Sequence, residues 1–340
     1  MMKGVKEDFE FVSTGRIGFK CRYLRGHYGT GKTLALRWIL SEALEKGFVV
    51  SNVVLDEKVT RPDDSWSVYR GVMANMQTRE DNRGPQALAE VLDSWNNKHF
   101  KDRWREFGSK KHELTPEAPY LMTALHAYFT RPELRSQVVS WLMGDPNIPF
   151  SIKKQFDIRG DIGSESAMNY LSALTRLISQ GQYGGLVVLF DEVESITRLV
   201  RIDSRLRGLE NIRALDENAK YSFKHAYFVF AGTHDFFEGT NGVPSYPALE
   251  TRLRSYQTPG TPRSFRDTII ELETLPASQR VQVLSNIKGL YETAYKTDTS
   301  RKVSKEILER IDQMAAKKGV DVREMIRRFI GLLDLNFAVV

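Results

Sequence analysis

Two patterns of apolar residues alternate along the chain. Compact runs such as FVVSNVVL (48–55), LVVLF (186–190) and YFVFA (227–231) are apolar on both faces and predict buried parallel strands. Ile17 to Leu24 alternates instead, with Phe19, Cys21 and Tyr23 on one face, and predicts the first strand; Thr268 to Leu272 predicts a last one. Between the strands, apolar residues recur at helical intervals. Leu36, Ile39, Leu40, Ala43 and Leu44 predict a helix that Gly47 ends, and Leu171, Leu174, Leu177 and Ile178 predict another over Ser166 to Gln180. Residues 196 to 218 predict a charged helix. Met1 to Arg16 is short and polar, and is expected only to lead into the first strand.

Residues 57 to 165 break this alternation. Prolines recur from Pro62 to Pro149, and helical segments are predicted at 66 to 77, 85 to 100 and 119 to 129. From Ala277 onward the pattern is helical throughout. Val281, Leu284, Ile287 and Leu290 fall at intervals of three, Ser304 is an expected N-cap, and Gly319 is a helix stop. Asp321, with Glu324 three residues on, opens a final helix as in a capping box; its expected apolar face is Met325, Ile326, Phe329, Ile330 and Leu333. The expectation is an α/β fold with a parallel sheet core at 1–56 and 166–272, a helical insertion at 57–165 and a C-terminal helical lid at 273–340.

Composition changes this picture little. The chain has 340 residues, 41% hydrophobic and 27% charged, as a globular protein does. No apolar run approaches the roughly 18 residues needed to span a bilayer, and no secretory segment follows Met1, so a cytoplasmic location away from membranes is expected. Cys21 is the single cysteine, which excludes an internal disulfide; its place in a strand predicts a buried, inert thiol. The histidines show no ligand spacing. A net charge of +6 permits an acidic partner such as DNA without demanding one. Two local stretches bear on that question. Lys98 to Lys111 interleaves basic residues with Phe100, Trp104 and Phe107, and an amphipathic helix packing its aromatics inward is favoured over nucleic-acid contact. Residues 198 to 213 carry five arginines, and a solvated helix neutralised by Asp203, Glu210, Asp216 and Glu217 is favoured over a DNA site.

The chemistry concentrates at strand ends. Gly26 to Thr33 reads GHYGTGKT, the G-x-x-x-x-G-K-[ST] phosphate-binding pattern, between a predicted strand and a predicted helix. Gly29 and Gly31 let the backbone turn its N–H groups inward as an anion nest. Gly26, Gly29, Thr30, Gly31, Lys32, Thr33 and Leu34 are the expected nucleotide-binding residues; Lys32 reaches the terminal phosphates and Thr33 ligates Mg²⁺. Asp191 ends an apolar strand and is the second expected Mg²⁺ residue. Glu192 beside it can deprotonate an attacking water. An acid directly after the aspartate argues against small-molecule kinases and for attack by water. Thr233 ends the next strand, where its hydroxyl can hold that water or the γ-phosphate, or simply begin a loop. Arg252 opens an Arg-Leu-Arg cluster and can serve as a finger to a neighbouring subunit's nucleotide or as a surface ion pair; Arg254 is the second candidate. Arg323, in the first turn of the last helix, can reach back to phosphates or stay in solvent.

In this order, these pieces resemble an AAA+ ATPase of the origin-initiator type, and more narrowly the ATP-binding proteins of BREX phage-resistance systems, the BrxD-like group. The resemblance rests on RGHYGTGKT (25–33), GFVVSNVVLDE (47–57), GQYGGLVVLFDEVESITRL (181–199), FVFAGTHDFFEGTNGVPSYPALETRL (228–253) and DVREMIRRFIGLLD (321–334). It implies a P-loop NTPase core binding and hydrolysing Mg²⁺-ATP in anti-phage defence. Lys32 and Thr33 would serve nucleotide and metal, Asp191 and Glu192 the second motif, Thr233 the first sensor, Arg323 the second sensor and Arg252 the finger. It also implies self-association through the nucleotide site, partners among other defence proteins, and DNA. The stretch before the first strand is short for the group, and no winged-helix module follows the lid within these residues, so DNA contact is expected from the core, the insertion or a partner. The alternative is an ATP-gated interaction switch or scaffold with little turnover, which would need Lys32 and Asp191 but tolerate loss of Glu192.

Overall fold

The computed structural model describes residues 2–97, 118, 120–255, 267–300 and 302–337. The basic, aromatic stretch from 98 to 111 lies outside them. The chain forms two compact units: Met1–Arg25 with Thr33–Ile270, and Gly26–Lys32 with Glu271–Val340.

The first unit is built on a sheet with strand order β3-β2-β4-β5-β1-β6, where the strands are β1 (Phe19–Arg25), β2 (Val49–Val54), β3 (Met76–Gln77), β4 (Leu186–Asp191), β5 (Ala226–Gly232) and β6 (Ile269–Glu271). β2, β4, β5 and β1 pair in parallel, and the two-residue β3 adds antiparallel to β2. β4 and β5 are buried at every position because they occupy the centre, which is why their sequences are continuously apolar. The aromatic rings of Phe190 and Phe230 stack across these two strands at 4.8 Å.

The N-terminal segment corrects an expectation. Met2–Ser13 forms a helix, α1, that buries Val5, Phe9 and Val12, at intervals of four and three. Phe9 lies 5.2 Å from both the Phe48 and Tyr227 rings. Asp8 pairs with Arg22 of β1, both buried, so a polar-looking opening carries a buried charge that needs its partner.

The proline-punctuated stretch packs directly on the sheet. Helices α3 (Ser65–Ala74), α4 (Pro85–Asn97), α5 (Leu121–Thr130), α6 (Arg135–Leu142) and α7 (Phe150–Gln155) share one apolar core with the strands and with α8 (Ala167–Gln180). Trp95 and Trp141 are inside it, their indole N–H groups donating to Gln180 and to the Gly160 carbonyl. Ser51 of β2 donates to the Val72 carbonyl of α3 at 2.7 Å. The predicted helix over 66 to 77 stops at Ala74, and Met76–Gln77 becomes the edge strand. The charged stretch after β4 is two helices, α9 (Ser195–Arg198) and α10 (Ile202–Glu217); α11 (His234–Glu238) and α12 (Pro247–Ser255) follow β5.

In the second unit, α13 (Ala277–Tyr295), α14 (Lys305–Lys317) and α15 (Val322–Phe337) enclose a small core of Leu284, Tyr291, Val303, Leu308, Met325, Phe329 and Leu333. The expected spacing of three along α13 drifts off a helix of 3.6 residues per turn: Leu290 is exposed and Tyr291 is buried in its stead. Ile330 of α15 is likewise exposed. Ser304 stands at the N-cap of α14, but its hydroxyl turns to Glu306. No helix among the described residues is long and apolar enough to cross a membrane.

Candidate functional site

The chemistry of the first unit gathers at the carboxyl end of β4. Asp191 is buried, and its Oδ2 accepts the Thr33 hydroxyl at 2.8 Å. Thr33 lies in the first turn of α2 (Lys32–Glu45), so a helix start and a strand end meet through a hydroxyl and a carboxylate. Asp191 Oδ1 accepts the N–H of Glu192 at 3.0 Å. Glu192 has φ +59°, a left-handed conformation that a side chain of its kind occupies only where the surroundings hold it. They do: the Glu192 carbonyl accepts the Ser195 N–H at 2.9 Å, and the Val193 N–H donates to the Ala231 carbonyl of β5 at 3.1 Å. The backbone of Glu192 is therefore fixed on both sides, which fixes where its carboxylate starts.

Thr233 follows the end of β5 and is buried, with its hydroxyl lacking a hydrogen-bond partner among the described residues. A buried hydroxyl left so costs free energy unless something polar meets it. Its N–H donates to Glu194 Oε2 at 3.3 Å. Glu194 is not singled out by the sequence reading, although a third acid in the run DEVE is the available signal. Gly232 is missed as well. A Cβ there would sit 2.5 Å from Val193 Cγ2, so only glycine lets the end of β5 approach the turn that carries Glu192 and Glu194.

The second unit holds Gly26–Lys32, the candidate phosphate loop. Lys32 is buried; its ammonium donates to the carbonyls of Gly26 at 3.0 Å and His27 at 3.1 Å and lies 5.2 Å above the Tyr28 ring. His27 and Tyr28, to which no chemistry is assigned from the sequence, thus position the lysine. The His27 carbonyl also accepts the Thr30 hydroxyl at 2.8 Å, tightening the turn. Gly29 has φ +79°, and a Cβ on it would lie 2.9 Å from the Cβ of Asp321. The loop therefore packs on the start of α15. Asp321 caps that helix, accepting the Glu324 N–H at 2.8 Å, as expected; the returning half of the capping box is replaced by a Glu324–Arg328 pair at 2.8 Å. Arg323 projects into solvent from the same first turn, beside the residue that touches Gly29. Leu34, one residue past Thr33, is exposed.

Arg252 stands elsewhere. Its Nε donates to Asp216 Oδ2 at 2.5 Å and its Nη2 to the Asp216 carbonyl at 3.1 Å, within one chain. Arg254 is exposed and pairs with Glu250 one turn earlier. Cys21 adjoins this pair; burial and then the Asp216 carboxylate push its thiol well above its ordinary value, so it is no thiolate at neutral pH.

The residues fit Mg²⁺ by their donor chemistry. A hydroxyl and a carboxylate in contact suit a small hard cation that keeps several waters. Among the described residues no group of three or more His, Cys, Asp or Glu side chains is arranged to hold a metal.

The chain is similar in structure to the ORC2 protein of Aeropyrum pernix, solved as ADPNP–ADP complexes, at 11% identity and a TM-score of 0.42, covering 99% of this chain and 67% of that one. No curated protein matches the sequence. The family model described as BREX system ATP-binding protein BrxC/D matches residues 1–122 and 116–337. With matches running across nearly its whole length, the chain belongs to the BrxC/D family of BREX system ATP-binding proteins.

Proposed function

We propose that this protein is an ATPase that hydrolyses Mg²⁺-ATP and acts with DNA, with copies of itself and with other proteins of its defence system, in the cytoplasm. The observation that supports this most is the 2.8 Å contact of Thr33 with Asp191, next to a glutamate locked in left-handed backbone. The backbone of Gly26, Gly29, Thr30 and Gly31 cradles phosphate, Leu34 follows Thr33 in the first turn of α2, and Lys32 exchanges its loop carbonyls for phosphate oxygens. Thr33 and Asp191 would hold Mg²⁺, which when bound neutralises charge on the phosphates. Glu192 takes a proton from the attacking water. As that oxygen bonds to the γ-phosphorus, the bond from the γ-phosphorus to the bridging oxygen breaks and ADP keeps the electron pair. The Thr233 hydroxyl orients the water or a γ-oxygen. Arg323 supplies positive charge from the last helix. Arg252 reaches a neighbouring subunit only when Asp216 releases it, whereas Arg254 needs no such release.

That ion pair favours a second reading, an ATP-gated switch in which assembly rather than turnover is the output. ATP hydrolysis measured with and without double-stranded DNA, alongside sizing in ATP, separates the two. Turnover stimulated by DNA in an assembled species supports the ATPase; binding and assembly with no turnover supports the switch.

A further inference from the structure

Two loops at the carboxyl edge of the sheet present apolar side chains to solvent in a way the core does not explain. Val59, after β2, is 79% exposed, and Val200, after β4, is 92% exposed, with Ile202 exposed beside it. These are not frayed tips. The Asp56 carboxylate accepts the N–H groups of Lys58 and Val59 at 2.6 Å and of Thr60 at 3.1 Å, and the Val59 carbonyl accepts the Ser67 hydroxyl at 2.7 Å. In the other loop, Leu199 is buried as an anchor, and Arg205 donates to the carbonyls of Leu199 at 2.7 Å and Val200 at 3.3 Å. An ion pair between Glu57 and Arg198 at 3.1 Å joins the two loops into one surface. Single exposed valines are ordinary; two held outward by their loops on one surface are not.

Cations slightly outnumber acids around them, six to five. Lys58, Arg61, Arg198, Arg201, Arg205 and Arg207 lie on these loops and the first turns of α10. Of the acids, Asp56 and Asp64 accept from backbone N–H groups, and the side chain of Asp63 is buried between Arg61 at 2.8 Å and Arg207 at 3.8 Å. Glu57 and Asp203 remain exposed. Lys58 and Arg201 form no ion pair among the described residues and flank the two valines. By contrast, Arg213 farther along α10 is neutralised by Glu210 and Glu217. The arginine-rich stretch thus divides into an end neutralised within α10 and an end where Arg201 has no acidic partner among the described residues.

We infer that this surface binds a DNA duplex, Lys58 and Arg201 contacting phosphates and Val59 and Val200 pressing against the groove wall between them. Unpaired cations match a polyanion, and rigid apolar tips among cations suit sugar and base edges in a minor groove. β2 and β4 are parallel with Val54 opposite Asp191, so both loops leave the edge that carries Asp191 and Glu192, and DNA there would adjoin the turn that holds the proposed base. The inference rests on the DNA half of the function proposed above and names its site.

The test is binding of a fluorescein-labelled DNA duplex to the full chain by anisotropy, between about 50 and 200 mM salt. Lys58→Ala with Arg201→Ala should weaken binding about tenfold at the low end and reduce the salt slope by about 2. Val59→Ser with Val200→Ser should weaken binding several-fold and leave the slope unchanged. All four side chains are exposed, so ATP binding should be intact in both variants and serves as the folding control. If the wild-type chain binds duplex and both variants match it in affinity and slope, the site lies elsewhere and the DNA-linked function stands without it. If the wild-type chain binds no duplex, the inference and the DNA half of the function both fall, while ATP hydrolysis is untouched. If the valine variant alters assembly in ATP but not DNA affinity, the surface is a protein interface and the inference is overturned.

Discussion

Arg252 and Arg254 are two residues apart on α12, and they should behave as opposites. Asp216 has a side chain only 1% exposed, and Arg252, 33% exposed, gives it two hydrogen bonds, one to the carboxylate and one to the carbonyl. Arg252→Ala leaves that buried carboxylate without its main cation. Removing one partner of a fully buried pair costs about 3–5 kcal/mol; because the guanidinium is partly solvated, about 2–3 kcal/mol is expected here. Arg254 is 77% exposed and holds an i,i+4 pair with Glu250, so Arg254→Ala should cost no more than about 0.5 kcal/mol. Urea unfolding followed by tryptophan fluorescence reads this directly, since Trp38, Trp66, Trp95 and Trp141 all fall in the first unit. The midpoint should drop by about 0.5–1 M for Arg252→Ala and stay put for Arg254→Ala. Arg252→Lys should recover little, because an ammonium cannot reproduce the two-pronged contact. A wild-type midpoint for Arg252→Ala together with collapsed ATP turnover would refute the reasoning: the arginine would then act at a nucleotide and not as a strut.

Three further outcomes follow from packing and charge within the first unit. Phe9→Ala should cost about 3–5 kcal/mol in thermal or urea unfolding, because α1 is fastened through that ring to Phe48 and Tyr227; an unchanged midpoint would mean the helix is dispensable. Burial pushes the Glu90 carboxyl up, but hydrogen bonds from Thr78, Tyr183 and Asn82 outweigh it and hold it below its ordinary value. A depressed folded pKa stabilises above the unfolded value and is lost as pH falls through the folded one. Glu90→Gln should therefore lower the urea midpoint at about pH 7 and converge on the wild type at about pH 3; a gap that persists at the lower pH contradicts it. Cys21 should react with a thiol reagent at neutral pH only as fast as the first unit opens, with urea accelerating it, because burial and the Asp216 carboxylate keep it protonated.

The central strands are legible in the sequence because burial on both faces leaves continuous apolar runs, and their ends point to Asp191, Glu192 and Thr233. The candidate phosphate loop stands out in the sequence because its glycine and lysine spacing is a backbone requirement. What stays hidden has physical causes. α1 reads as polar because its buried apolar stripe is only three residues wide, and its buried acid is matched by Arg22, which lies on the following strand. Leu290 is misplaced because a spacing of three runs ahead of the helix turn. Glu194 and Gly232 act through a close approach between two strand ends, which no local pattern encodes. The partner of Arg252 lies 36 residues away in sequence, on another helix.

Glu192 as the base for an attacking water is the assignment on which the proposed ATP turnover depends. Glu192→Gln keeps the shape of the side chain and the locked backbone while removing the proton acceptor. Binding of Mg²⁺-ATP should remain at the wild-type level while steady-state turnover falls by about 10²–10⁴-fold. A variant that binds ATP and hydrolyses it at the wild-type rate would contradict the assignment.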